Sequence, residues 1–244
     1  MSTATNDSTT CIERRDALFL IPARGGSKGI PGKNIRPFCG RPLISRSIAT
    51  ARSLADDRDI CVSTDSEKIR DVAEAEGLRV PFLRPDSLAT DKAGTYEVML
   101  HALDFYRSQG VEYERLVLLQ PTSPLRTAND VRGAMSLYTP HIDMVVSVTP
   151  AKANPYYDIF ETDPESGFLH ISKGDGLYTR RQDAPKVWQY NGAVYVINTR
   201  SLRRGPLGSF RRRIMYEMPA DRSVDLDSLL DWQLAESLAC KCQK

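Results

Sequence analysis

Three stretches of this chain carry residue types whose spacing suits phosphate or metal chemistry. The first is residues 24–34, Arg-Gly-Gly-Ser-Lys-Gly-Ile-Pro-Gly-Lys-Asn. Its four glycines let the backbone approach a ligand closely and turn N–H groups toward it. Arg24, Lys28 and Lys33 add three cations within ten residues. A triphosphate needs both kinds of group. The stretch is not a Walker A loop: Ser27 stands five residues before Gly32, where a glycine belongs. Asn34 also replaces the hydroxyl residue that would bind magnesium. The Gly-x-Gly-x-x-Gly dinucleotide fingerprint is absent too. The plain alternative is a solvated, flexible turn.

The second stretch is Asp225-Leu226-Asp227. In extended backbone, residues i and i+2 face the same way. Two carboxylates so placed hold Mg²⁺ together with phosphate oxygens and water. The competing reading makes Asp227 the cap of a helix that follows. The third stretch, residues 120–126, runs Gln-Pro-Thr-Ser-Pro-Leu-Arg. Two prolines stiffen it, and Gln120, Thr122 and Ser123 offer neutral hydrogen-bonding groups. It also reads as a rigid turn into a helix. Asp65 either recognises a ligand hydroxyl or caps the next helix. Arg180 and Arg181 suit a carboxylate or phosphate partner, or form a solvated charge cluster. His101, His141 and His170 are isolated, and Trp188 and Trp232 read as packing residues.

The elements that would position these groups alternate. Residues 17–22 form an apolar run fit for a strand buried on both faces. Further strands are expected at 59–63, 116–119, 144–148 and 192–198, with a short one at 80–83. Helices are expected at 42–54, 66–76, 96–106 and 128–138, with Gly77 stopping the second. Leu226, Leu230, Leu234 and Leu238 recur at intervals of four and stripe a final helix. Repeated strand–helix units predict a mainly parallel α/β sheet covered by helices. In such sheets ligands bind outside the carboxyl ends of the strands, where the loop after Pro22, residues 63–65 and residues 120–126 fall. Between 151 and 187 the periodicity breaks, which predicts a small β-rich insert used to pair two subunits. Residues 1–15 read as a disordered tail, and 16–244 as one domain.

Composition narrows the function. The chain has 244 residues, 41% hydrophobic and 26% charged, with a formal net charge of +2. That balance argues for neither nucleic acid nor a membrane surface as partner. No run of about 18 apolar residues suggests a membrane span, and the Ser/Thr-rich start lacks the apolar core of a signal peptide. The five cysteines are scattered and odd in number. They favour neither a disulfide framework nor a metal site, and reduced thiols fit a cytoplasmic location.

Taken in order, residues 23–34, 62–65, 120–124, 180–183, 191–192 and 223–232 resemble the acylneuraminate cytidylyltransferases. The likeness runs from about Leu18 to Ala239, most of the chain. It implies a Rossmann-like, three-layer nucleotidyltransferase fold and a homodimer whose inserts reach the partner's site. It implies transfer of a nucleotide from CTP, with Mg²⁺, to a sialic-acid-like nine-carbon 2-keto sugar acid. N-acylneuraminate is the first expectation. Kdn, legionaminic acid, pseudaminic acid or an octulosonate would use the same chemistry. A catalytically silent regulatory subunit is the reading from another class, and the retention of Lys33, Arg181, Asp225 and Asp227 together speaks against it. Carried over position by position, Arg24 and Asn34 contact the nucleotide with Lys33. Arg84, Asp91 and Thr95 make further substrate contacts, and Gln120 meets the sugar. Arg181 and Lys33 are the expected catalytic residues, and Asp225 and Asp227 the metal ligands. The chain departs from the family around Asp91, where Thr95 alone keeps a hydroxyl in the stretch that follows.

Overall fold

The structure, a computed structural model, describes residues 12–27, 29–89 and 94–241. Ten strands and six helices follow one another along the described residues. They are β1 (Glu13–Pro22), β2 (Pro37–Phe38), β3 (Arg41–Pro42), α1 (Leu43–Arg52), β4 (Ile60–Ser63) and α2 (Glu67–Ala75). Next come α3 (Thr95–Ser108), β5 (Val111–Leu118), α4 (Ala128–Ser136) and β6 (Met144–Pro150). The rest are β7 (Phe160–Thr162), β8 (Leu169–Ile171), β9 (Trp188–Asn198), α5 (Thr199–Arg204), β10 (Arg213–Glu217) and α6 (Leu229–Lys241).

The main sheet has six strands in the order β10-β6-β9-β5-β1-β4. Every neighbouring pair is parallel except the two made by β9, which runs against β5 and β6. Successive strand residues point to opposite faces, and β1 shows the result. Phe19 and Ile21 join Ile44 and Ile48 of α1, Ile69 of α2 and Val131 of α4 on one face. Leu18 and Leu20 join Met99 and Leu103 of α3 and Leu202 of α5 on the other. The fold is therefore three-layered and mainly parallel, as expected.

Four expectations need correction. β1 starts at Glu13, paired with Val111, so residues 13–15 are strand and not tail. Residues 80–83 form no strand; a single bridge joins Thr64 to Leu83. The leucine stripe of α6 is not its buried face: Leu230 is 74% exposed and Leu234 49%. Trp232, Ala235 and Ala239, spaced three and four apart, face inward, because the Trp232 ring packs edge-on against Phe38 with centroids 5.5 Å apart. Finally, β10 and α5 lie in a stretch where no element was expected; β10 adds to the sheet edge beside β6.

The stretch 151–187 holds one two-stranded sheet, β7 against β8, and is otherwise irregular. A third apolar cluster lies outside the sheet's two faces. It joins Ile30, Phe38 and Leu43 to Leu226, Trp232, Ala235 and Ala239.

Candidate functional site

The loop after β1 and the loop before α6 meet at the carboxyl ends of the parallel strands. Their apolar members, Ile30 and Leu226, are both fully buried in the third cluster. Polar contacts then lock the pair. The Lys33 ammonium donates to the Leu226 carbonyl at 2.7 Å. A Cβ on Gly29 would lie 2.3 Å from the Asp227 carbonyl oxygen, so only a glycine fits this approach. The Asn34 side-chain amide donates to the Arg24 carbonyl at 2.9 Å and closes the loop on itself.

Asp65 does not cap α2. Its carboxylate accepts the Gly25 N–H at 2.9 Å and braces the start of the loop. The N–H of Ser66, which precedes α2, goes to the Thr64 hydroxyl instead. Asp227 is likewise no helix cap. Ser228 and Asp231 cap α6 reciprocally: the Ser228 N–H donates to the Asp231 carboxylate at 2.8 Å, and the Asp231 N–H to the Ser228 hydroxyl at 3.3 Å. Asp227 is left exposed at the rim of the cleft.

That cleft, about 390 Å³, is lined by Arg24, Lys33, Asn34, Arg84, Thr95 and Gln120, with Ser27, Gly29, Thr122 and Asp227. Seven of the ten site residues expected from sequence thus share one space. Arg84 lies almost fully buried, its guanidinium donating to the hydroxyl and carbonyl of Ser63. Burial pulls it below the usual arginine range, and nearby Asp65 opposes that pull. Thr95 opens α3.

Asp225 sits beside the cleft, half-buried, and its Oδ1 is shut from solvent with no hydrogen-bond partner. Burial holds its carboxyl above the usual carboxylate range; the nearby Thr122 hydroxyl and Lys33 oppose this, and Asp227 adds to it. Buried polar atoms are nearly always paired, so the open Oδ1 fits a ligand. The Ser123 hydroxyl, in the loop that carries Gln120, is also buried without a partner. Among the described residues no group of three or more His, Cys, Asp and Glu forms a metal cage. A cation here would take the two carboxylates and fill its shell with ligand oxygens and water, as Mg²⁺ commonly does.

One expected residue among those described is not brought to the cleft. Arg181 lies in the irregular stretch 151–187, where its half-exposed side chain pairs with Asp158. Asp91 lies outside the described residues. Sequence reasoning missed Gly29 as a close-packing glycine, though its place in a glycine-rich loop was a signal. It also missed the pairing of Asp130 with Arg222 at 2.9 Å, which fastens the loop before α6 to α4 and left no local signal.

A larger cavity, about 690 Å³, opens at the amino ends of the strands. Its arginines are largely neutralised by neighbours: Arg15 by Asp59, Arg107 by Glu112 and Arg203 by Asp104. It holds none of the residues expected to do chemistry. The smaller cleft is therefore the site.

Comparisons with known proteins bear on it. Residues 18–241 match the family model described as Cytidylyltransferase. The chain is 31% identical over 229 residues to the CMP-N,N'-diacetyllegionaminic acid synthase of Legionella pneumophila, covering 91% of this chain and 95% of that protein. It is 34% identical over 218 residues to the N-acylneuraminate cytidylyltransferase of Streptococcus agalactiae, covering 88% of this chain but 51% of that one. Among solved structures, a CMP:2-keto-3-deoxy-manno-octonic acid synthetase complexed with CTP superposes with a TM-score of 0.67. The alignment covers 93% of this chain and 99% of the other at 16% identity, a likeness of fold alone.

The Gly29 contact generates a direct test of the site. Replacing Gly29 with Ala forces the Asp227 carbonyl away, because backbone cannot swing aside as a side chain can. A displacement near 1 Å costs about 10²-fold in turnover. We expect Gly29→Ala to lose activity on that scale while unfolding cooperatively. Unimpaired turnover in that variant would show that the two loops need not meet.

Proposed function

The chain belongs to the cytidylyltransferase family, and from that premise we propose that it joins the CMP moiety of CTP to a nine-carbon 2-keto sugar acid of the sialic-acid type. The observation that carries this reading is the convergence of Arg24, Lys33 and Arg84 with Asp227 on one cleft at the carboxyl edge of the sheet. A sugar hydroxyl oxygen attacks the α-phosphorus of CTP. A new O–P bond forms as the bond to the β-phosphate oxygen breaks, and pyrophosphate leaves. Catalysis of such transfers is chiefly positioning and charge compensation.

In this reading Lys33 and the loop amides hold the triphosphate, with Arg24 and Arg84 beside them. Gln120 orients the acceptor. Asp225 and Asp227 hold Mg²⁺, which compensates charge on the phosphates when bound. The orphan oxygen of Asp225 supports that assignment. Arg181 acts from a second copy of the chain, whose insert reaches across. The support is that the stretch 151–187 exposes Phe168 by 76%, Leu169 by 69% and Leu177 by 78%, surface that a partner would cover. Among the described residues no helix is long and apolar enough to cross a membrane, and the reading places the enzyme in the cytoplasm with its nucleotide.

N-acylneuraminate is the acceptor we favour, on the 34% identity with the streptococcal enzyme. One observation favours a second acceptor: the Legionella protein, named for diacetyllegionaminic acid, aligns over 95% of its own length. Pyrophosphate release from CTP and Mg²⁺ should be measured with N-acetylneuraminate, Kdn, diacetyllegionaminate, pseudaminate and an octulosonate. We expect the highest kcat/KM with N-acetylneuraminate. Silence with all five sugars despite CTP binding would overturn the enzymatic reading. A clear preference for diacetyllegionaminate would replace the acceptor and keep the chemistry.

The raised carboxyl of Asp225 gives a test of the metal assignment that needs no turnover. A carboxyl whose folded pKa is raised binds its proton more tightly folded than unfolded. Its contribution to stability is present at low pH and lost as pH rises through the folded value. At pH 7 the ionised group therefore weighs against folding. Without metal, Asp225→Asn should unfold at a temperature roughly 2–4 °C higher than the unaltered chain. With Mg²⁺ and CTP present, the unaltered chain should gain stability that Asp225→Asn does not. An equal gain in both would remove Asp225 from the metal site.

A further inference from the structure

Arg126 is as deeply buried as Arg84, and the chemistry above does not use it. The residue is 6% exposed. Its Nη1 donates to the Ala193 carbonyl at 2.6 Å and to the Gln120 carbonyl at 3.1 Å. Its Nη2 donates to the Ser47 hydroxyl at 2.8 Å, and its Nε is buried without a partner. All three bonds go to uncharged oxygens. Burial pushes the guanidinium down to about 10, with Asp130 opposing from further away. That carboxylate is itself engaged by Arg222 through both of its oxygens. A buried charge without a hydrogen-bonded counterion is costly. A hydrocarbon side chain would fill the same space at less cost, but it could not reach two carbonyls at once.

The two carbonyls belong to different segments, the loop after β5 and strand β9. Gln120 lines the cleft. Ala193 follows Gly192, where β9 bulges against β6 between Val146 and Val148. Gly192 has a φ of +73°, and a Cβ there would lie 3.4 Å from the Asp225 carboxylate and 3.7 Å from the Ser123 hydroxyl. The bulge is further pinned by Asn191, which accepts from the Ser147 hydroxyl at 2.6 Å and donates to the Ser223 hydroxyl at 2.9 Å. The single nitrogen Nη1 thus ties the Gln120 loop to the β9 bulge beside Gly192.

We propose that Arg126 is a positioning residue: it clamps the Gln120 loop to the β9 bulge and so fixes where the acceptor sugar lies relative to the nucleotide. The proposal rests on the reading that Gln120 faces the acceptor. Among the described residues of the triphosphate loop none bonds the Arg126 side chain, so the clamp acts on the acceptor side more than on CTP. Lysine keeps the charge, but its nitrogen ends one bond short of Nη1 and cannot reach both carbonyls and the Ser47 hydroxyl. Methionine keeps the bulk, removes the charge and leaves the Gln120 carbonyl to the Ser123 N–H at 3.3 Å alone.

The test compares the unaltered chain with Arg126→Lys and Arg126→Met. Apparent KM is measured separately for CTP and for the best acceptor, and amide hydrogen exchange is followed over residues 120–126 and 191–194. Arg126→Lys should raise the acceptor KM at least about tenfold and leave the CTP KM within about twofold. Exchange should quicken in both segments and not along β1. Equal changes in both KM values, or none, would overturn the clamp, as would unchanged exchange in both segments. If Arg126→Met does not fold, Arg126→Lys carries the comparison. The exchange measurement needs no acceptor. An unaltered chain that turns over no sugar would defeat the Gln120 reading, and the two exchange segments would still decide the clamp.

Discussion

The site depends on one apolar contact: Ile30 and Leu226 are buried together against Phe38 and Trp232. The first belongs to the loop proposed to hold the triphosphate, the second lies between the two carboxylates. The two lie 196 residues apart in sequence, from 30 to 226, and no strand of the sheet joins them. Burial of apolar surface fixes their distance without using any polar group the chemistry needs. The polar contacts then follow from proximity. Lys33 reaches the Leu226 carbonyl, and the Asp227 carbonyl settles onto Gly29. Cation and carboxylates are held apart by backbone, so they do not collapse into a salt bridge that would exclude a ligand.

The same economy appears on the other wall. Uncharged bonds from Arg126 and Asn191, and the ion pair of Asp130 with Arg222, tie the Gln120 loop, the β9 bulge and the segment before Asp225 into one frame. Within that frame Asp225 Oδ1 and the Ser123 hydroxyl are buried and unpaired. Supporting bonds around an open carboxylate oxygen are the arrangement expected of a preorganised site.

Much of this was legible in the sequence, for physical reasons. Strand runs such as 17–22 are read from period and burial, which act locally. The phosphate loop was legible because glycines and cations crowd into a few residues. The carboxylate pair was legible as two acidic residues two apart, but not its backbone: the Asp227 N–H donates to the Asp225 carbonyl at 3.2 Å, so the chain turns at Leu226 instead of running extended. What stayed hidden depended on tertiary partners. Asp65 has the composition of a helix cap, but its carboxylate braces Gly25 across the cleft. Asp227 has it too, but Asp231 lies where it answers Ser228 better. The leucines at 230 and 234 repeat with helical spacing, yet α6 turns its Trp232 side inward because Phe38 offers a matching ring. Arg126 reads in sequence as one more loop cation, and only the fold reveals it buried between the Gln120 loop and β9.

The central claim is that the triphosphate loop and the carboxylate loop work as one unit joined through Lys33. Pyrophosphate release by Lys33→Ala, at saturating CTP, Mg²⁺ and acceptor, tests it most directly. A lost charge-assisted bond is worth roughly 1.5–3 kcal/mol, so turnover should fall at least about tenfold, in a variant that still unfolds as a single cooperative unit. Turnover within about twofold of the unaltered chain, less than 0.5 kcal/mol by the same relation, would contradict the claim and remove Lys33 from the chemistry.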